Sequence, residues 1–179
     1  PVPASTAVAA VPAGEPEPSR PIRVLLVEDN PVNLMVGQRL LSVLGTHCDS
    51  ATNGEAALLR MSASRYDLVL MDCQMPVMDG YTATRRWREH ETAAGGSRRL
   101  PIVAMTANAM AGDRQKCLDA GMDDYLAKPV TRGELERCLQ HWYQISLQQA
   151  HAEPAPPAAA PAATSLTSAP ATSPASTSA

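Results

Sequence analysis

Four short apolar runs, each stopping abruptly at a polar side chain, constrain this chain more than any other feature. Ile22 to Val27 stops at Glu28-Asp29-Asn30, and Leu68 to Met71 stops at Asp72. Ile102 to Met105 stops at Thr106, and Tyr125 to Ala127 at Lys128-Pro129. A weaker run, His47 to Ala51, lies between the first two and suits a sheet edge. A strand that is apolar at every position is buried on both faces, as in a parallel sheet covered by helices on each side. Segments of helical period separate the runs, so strand and helix alternate five times. With right-handed crossovers the expected fold is α/β, a doubly wound five-stranded parallel sheet.

Local signals place the helices. Asn30 is expected to cap the first, with Pro31 at its first position and Gly45 at its end. Val32, Met35, Val36, Leu40, Val43 and Leu44 recur at helical spacing. Asn53-Gly54 opens the second helix. The third carries Ala83 and Trp87, with Arg85, Arg86 and Arg88 as a solvated face and a flexible connection from Glu91 to Arg99. The fourth runs from about Ala111 to Ala120, with Gly121 as its cap. The fifth begins at a capping box, Thr131-x-x-Glu134, and offers Leu135, Cys138, Leu139, Trp142 and Ile145 as its apolar face.

Composition sets the limits of this domain. Twelve of the 16 prolines lie in positions 1–21 and 151–179, and the last 29 residues hold 11 Ala, 6 Pro and 9 Ser or Thr. All six aromatic residues lie between these tails. One domain is therefore expected at 22–148, with disordered Pro/Ala-rich segments at 1–21 and 149–179. Pro1 in place of Met suggests a piece of a longer protein. The near-neutral charge of the central block gives no case for nucleic acid. No apolar run reaches the ~18 residues a membrane helix needs, and no secretory signal opens the chain, so no membrane contact is expected from this segment. The four cysteines form no C-x-x-C pair and read as reduced thiols of a cytoplasmic protein.

Parallel strands point one way, so the residues just past their ends gather on one edge, where open α/β folds bind ligands. Here those are Glu28, Asp29, Asp72, Thr106 and Lys128. Singly, each has an ordinary reading: Asp after a strand forms turns, Thr is a β-former, and lysine is usually solvated. Together they suggest chemistry. Three clustered carboxylates repel unless one is protonated or a cation is present. A hard ion such as Mg²⁺ takes one or two carboxylates and completes its shell with phosphate. A carboxylate there can attack a phosphoryl group, with Asp72, Thr106 and Lys128 suited to nucleophile, oxygen donor and counter-charge.

Four motifs then carry a family resemblance: Val27-Glu28-Asp29-Asn30-Pro31-Val32-Asn33, Leu70 to Gly80 around Asp72-Cys73-Gln74-Met75-Pro76, Ile102 to Ala109 around Thr106, and Ala120 to Pro129. The block resembles the receiver domain of two-component response regulators, and especially receivers attached to hybrid sensor histidine kinases. The resemblance implies a flavodoxin-like (βα)5 fold with strand order 2-1-3-4-5. It implies that Asp72 is the phosphoacceptor, and that Mg²⁺ is held by Glu28, Asp29, Asp72 and the Gln74 backbone carbonyl. Thr106 and Tyr125 match the family's switch pair, Lys128 its lysine, and Lys128-Pro129 a bond that is usually cis. Gln74 and Asn108 match positions that tune phosphoryl lifetime. The implied partners are a histidine kinase dimerisation domain bearing phosphohistidine and a histidine phosphotransfer protein. The implied activity is catalysis of its own phosphorylation and dephosphorylation, inside a hybrid kinase whose parent chain can be membrane-anchored or, alternatively, as a stand-alone regulator.

Other readings fare worse. A haloacid dehalogenase-type phosphatase places a D-x-D motif after its first strand, where this chain reads Glu28-Asp29-Asn30. A docking module that never meets phosphate does not need Asp72, Thr106 and Lys128 together. No P-loop or dinucleotide fingerprint occurs, so no nucleotide cofactor is expected.

Overall fold

A computed structural model describes residues 20–96, 98–108 and 110–152. Of the segments expected to be disordered, 1–19 and 153–179 lie outside the described residues, whereas 149–152 continue the last helix. Five strands alternate with five helices: β1 (Arg23–Val27), α1 (Pro31–Val43), β2 (His47–Ala51), α2 (Gly54–Ala63), β3 (Leu68–Asp72), α3 (Gly80–Ala93), β4 (Ile102–Thr106), α4 (Ala111–Asp119), β5 (Asp124–Ala127) and α5 (Arg132–Ala152). The sheet is parallel throughout, in the order β2-β1-β3-β4-β5. The expected fold is the observed one.

Alternate residues of each strand serve opposite faces. Leu25, Val27, Val69, Met71, Ile102 and Ala104 pack with Ala57 and Met61 of α2, Ala83 of α3 and Cys117 of α4. Val24, Leu26, Leu68, Leu70, Val103 and Met105 pack with Leu41 of α1 and Leu135, Cys138 and Leu139 of α5. β3 and β4 are buried at every position, as their solid apolar runs require.

The caps follow the sequence. The Asn30 side chain accepts from the backbone amides of Val32 and Asn33, with Pro31 beginning the helix. The Thr131 backbone amide and hydroxyl both donate to Glu134, and the Glu134 amide donates back to the Thr131 hydroxyl. α5 continues to Ala152, beyond the boundary drawn at 148.

On α1, Val32, Met35, Val36 and Val43 are exposed, and Leu41 is the buried residue, with Leu34, Leu40 and Leu44 partly covered. The reason is Gly37. A methyl group there would come within 2.7 Å of Leu26, so the helix backbone rides directly on β1 at a residue with no apolar signal. The contact face is centred on Gly37 and Leu41, and the apolar residues beside it are left outside.

One expectation needs correction: Arg88 is not part of a solvated face. Its guanidinium, 13% exposed, donates to the carbonyls of Gly121 and Leu100 at 2.9 Å each and to Glu91 and Asp123 at 2.7 Å each. Glu91 in turn accepts from the Leu100 amide and the Trp87 indole. The start of the supposed flexible connection is thus the last turn of α3, pinned to the N-terminal ends of β4 and β5. Arg85 and Arg86 are exposed as expected.

Candidate phosphoryl-transfer site

The strand ends bring together what the sequence nominated. Glu28 follows β1, Asp72 ends β3, Thr106 ends β4, and Lys128 follows β5. Backbone bonds fix their relative height: the Glu28 amide donates to Ala51, the Cys73 amide to Met105 and the Lys128 amide to Thr106. Glu28, Asp72 and Thr106 are almost fully buried, whereas Asp29 is exposed. One oxygen from each of Glu28, Asp29 and Asp72 lies within 4.8 Å of the others. Three hard oxygen donors from two strand ends fit a divalent cation of the Mg²⁺ type.

Lys128 completes the cluster. Its Nζ lies 2.8 Å from Glu28 Oε2 and 2.9 Å from Asp72 Oδ2. Burial alone would lower this ammonium, but its bonds to Glu28 and Asp72 prevail and raise it above the ordinary lysine value. Asp72 moves the other way from a simple ion pair. Burial, helped by the neighbouring Glu28 charge, holds its carboxyl above the usual carboxylate range, against Lys128 and the Gln74 amide that donates to Oδ1 at 3.2 Å. The peptide bond after Lys128 is cis.

The β3–α3 loop approaches Asp72 because residue 80 is glycine. Any Cβ at Gly80 would overlap the Asp72 carbonyl. Asp79 then caps α3 by accepting from the Thr82 amide at 2.7 Å. The Thr106 hydroxyl is engaged by Asn108, donating to its carbonyl at 2.9 Å and accepting from its amide at 3.1 Å. Tyr125 is half-buried on β5, with the Arg114 guanidinium of α4 5.4 Å from its ring centre.

Two clefts meet here. An acidic one of about 430 Å³ is lined by Glu28, Asp29, Asp72, Thr106, Asn108 and Lys128 among others. An apolar one of about 440 Å³ lies between α1 and the start of α5. Glu28, Asn33 and Lys128 line both. Sequence reading did not single out Asn33 for this position. It closes the Val27–Asn33 motif, one turn into α1 and three residues after the cap. Sequence reading also missed Arg20, assigned to the linker, whose guanidinium makes a two-pronged contact with buried Asp67 at 2.7 and 2.8 Å.

Residues 24–140 match the family described as response regulator receiver domain. The sensor protein GacS of Pseudomonas syringae is 44% identical over 135 residues, which is 75% of this chain but only 15% of GacS. The chain thus spans a small fraction of such relatives. A crystal structure of the receiver domain of sensor histidine kinase PA1611 from Pseudomonas aeruginosa, with magnesium in its active-site cleft, is 49% identical. It matches with a TM-score of 0.63, covering 70% of this chain and 99% of that one. The receiver domain of Ssk1 from Saccharomyces cerevisiae, crystallised with the phosphotransfer protein Ypd1, matches at 34% identity and a TM-score of 0.66, over 70% of this chain and 90% of that one.

Proposed function

The chain belongs to the response regulator receiver domain family, and from that membership we propose that Asp72 accepts a phosphoryl group from a phosphohistidine. The observation that carries the proposal is the buried Asp72 carboxylate, 2.9 Å from Lys128 Nζ, inside a cluster of three carboxylates. An Asp72 oxygen attacks phosphorus, the P–N bond to the imidazole breaks, and the imidazole departs with that bond's electron pair and takes up a proton. Lys128 meets the charge on one transferred oxygen. Thr106 exchanges the Asn108 carbonyl for another. Glu28, Asp29, Asp72 and the Gln74 carbonyl would hold Mg²⁺, which when bound neutralises the remaining phosphoryl charge. Water, or a second histidine, later takes the group away.

The setting is a hybrid histidine kinase, supported by relatives that are sensor kinases. The four free cysteines support a reducing, cytoplasmic location. No described helix is long and apolar enough to cross a membrane. The partner is a phosphohistidine-bearing helical domain, of the kinase itself or a phosphotransfer protein. Val32, Met35 and Val36, each at least half exposed on α1, lie on the helix that walls the apolar cleft and give such a helix an apolar surface beside Asp72.

Incubation with Mg²⁺ and a small acyl phosphate tests the chemistry. The expected result is a gain of one phosphoryl mass on the wild type, and none on Asp72→Asn. Equal labelling of both, or of neither, overturns the assignment.

A further inference from the structure

Beneath the acidic cleft lies a pair of thiols that phosphoryl transfer does not use. Cys73, next to the phosphoacceptor, and Cys117 of α4 have their sulfurs 3.9 Å apart, and both are almost fully buried. Tyr81, at the start of α3, packs against the core cluster that holds both thiols, and burial pushes the Cys73 thiol up to about 12. Cys73 and Tyr81 also line the acidic cleft, so a small solute entering it reaches the pair from one side. Cys48 and Cys138 belong to the core on the opposite face of the sheet.

The attachment of α4 makes this pair consequential. Cys117 is its one buried residue, and Met110 at its N-terminus supplies no side-chain cap. The helix is therefore held to the sheet chiefly through the thiol that touches Cys73. A weakly anchored helix can shift by the distance a disulfide requires, since its sulfurs lie about 2.05 Å apart.

We propose that Cys73 and Cys117 are a redox-sensitive pair that closes to a disulfide with a hydroperoxide as oxidant, covalently tying α4 to the end of β3. In the first step Cys73 Sγ attacks the near oxygen of hydrogen peroxide and the O–O bond breaks. The departing hydroxide takes the thiol proton and leaves as water, and Cys73 becomes a sulfenic acid. Cys117 Sγ then attacks that sulfur and the S–O bond breaks. Hydroxide leaves with the Cys117 proton as a second water. The two sulfurs together lose two electrons, and the peroxide gains them. Access through the acidic cleft makes Cys73 the first to react.

The test uses the full 179-residue chain, exposed to hydrogen peroxide for hours, alkylated and mapped by mass spectrometry. The expected product is a linked Cys73–Cys117 peptide with a loss of about 2 Da, reversed by dithiothreitol and absent from Cys117→Ala. Amide exchange over residues 111–119 is expected to slow about tenfold or more in the oxidised chain. Neither readout involves phosphorylation, so failure here is separate from failure of the phosphoacceptor assignment. The proposal is overturned if the linked peptide forms only in denaturant, if other cysteines oxidise while this pair stays reduced, or if the linked chain exchanges as fast as the reduced one.

Discussion

Asp72→Asn is expected to stabilise the resting fold and to forfeit most of the stabilisation that Mg²⁺ gives. The ammonium of Lys128 lies 2.9 Å from Asp72, an attraction of about 6 kcal/mol at an effective dielectric constant of about 20. Glu28 presents an oxygen within 4.8 Å of an Asp72 oxygen, a repulsion of at least about 3.5 kcal/mol on the same scale. Asp29 adds a similar repulsion, reduced by solvent because it is exposed. The charge terms nearly cancel, so burial decides the sign. The Asp72 carboxyl is held above its ordinary range, so at neutral pH its charge costs the folded state more than the unfolded one. Replacing it by the isosteric amide is expected to gain on the order of 1 kcal/mol, or a few degrees in Tm. A cation reverses the balance. At about one hundred times its Kd a ligand adds about 2.7 kcal/mol, and most of this is expected for the wild type only. Urea titrations in EDTA and in saturating Mg²⁺ measure both effects. A variant less stable than wild type in EDTA would refute the reasoning about burial. Equal gains in Mg²⁺ would remove Asp72 from the ligand set.

Three further outcomes are expected. Asp67 is almost fully buried and binds Arg20, the Arg23 amide and Ser146, so Asp67→Ala should cost about 3 kcal/mol, and Arg20→Ala less than about 1 kcal/mol because Arg20 is largely solvated. Burial opposes the Asp67 charge, but Arg20, the Arg23 amide and Arg98 outweigh it and hold the carboxyl below its ordinary value of 3.8. Its contribution is therefore complete above that value and disappears as pH falls through the depressed one. Asp67→Asn should flatten this acid limb of the denaturant midpoint, and a parallel limb would contradict the assignment. Val77 is 78% exposed with φ of 69°, a left-handed backbone that a β-branched residue adopts at a cost; Val77→Gly is expected to stabilise by about 1 kcal/mol in thermal unfolding. Arg114 lies over the Tyr125 ring, a contact worth about 0.5–1 kcal/mol at an exposed site, so Arg114→Ala should shift the Tyr125 rotamer population about two- to fivefold by NMR while phosphorylation of Asp72 proceeds. Unmoved Tyr125 resonances would show that the ring is held by other contacts.

The sheet and its site were legible because both rest on strong local signals. A strand buried on two faces must be apolar throughout, and the residue where the apolar run stops must be the one at the edge. Glu28, Asp72, Thr106 and Lys128 were therefore locatable before any contact was known. Long-range polar contacts were not. Arg88 reads as one of three arginines on a polar helix, and only the approach of Gly121, Leu100 and Asp123 makes it a buried tie. Arg20 lies in a proline-rich stretch, and its partner Asp67 is 47 residues away. The contact face of α1 was not legible for a complementary reason. Hydrophobic periodicity marks apolar side chains, but the closest contact with the sheet is made where there is no side chain, at Gly37.

The site's repulsion persists because the sheet cannot relax it. Separating Glu28 from Asp72 would require β1 and β3 to part, and their inward residues are buried on both faces. Lys128 offsets part of that charge from within the chain, and the remainder is left for a cation. On the proposed phosphorylation nearly two further negative charges arrive beside Lys128, and Thr106 is the neighbouring donor with an exchangeable partner. The elements nearby are unequally held. α5 is anchored by Leu135, Cys138 and Leu139 and by its capping box, whereas α4 has Cys117 alone. The smallest resistance lies at α4, and Arg114 on that helix already touches Tyr125. A charge added at Asp72 is therefore expected to be expressed first as movement of α4 and Tyr125, with the α1 face proposed for the partner left in place.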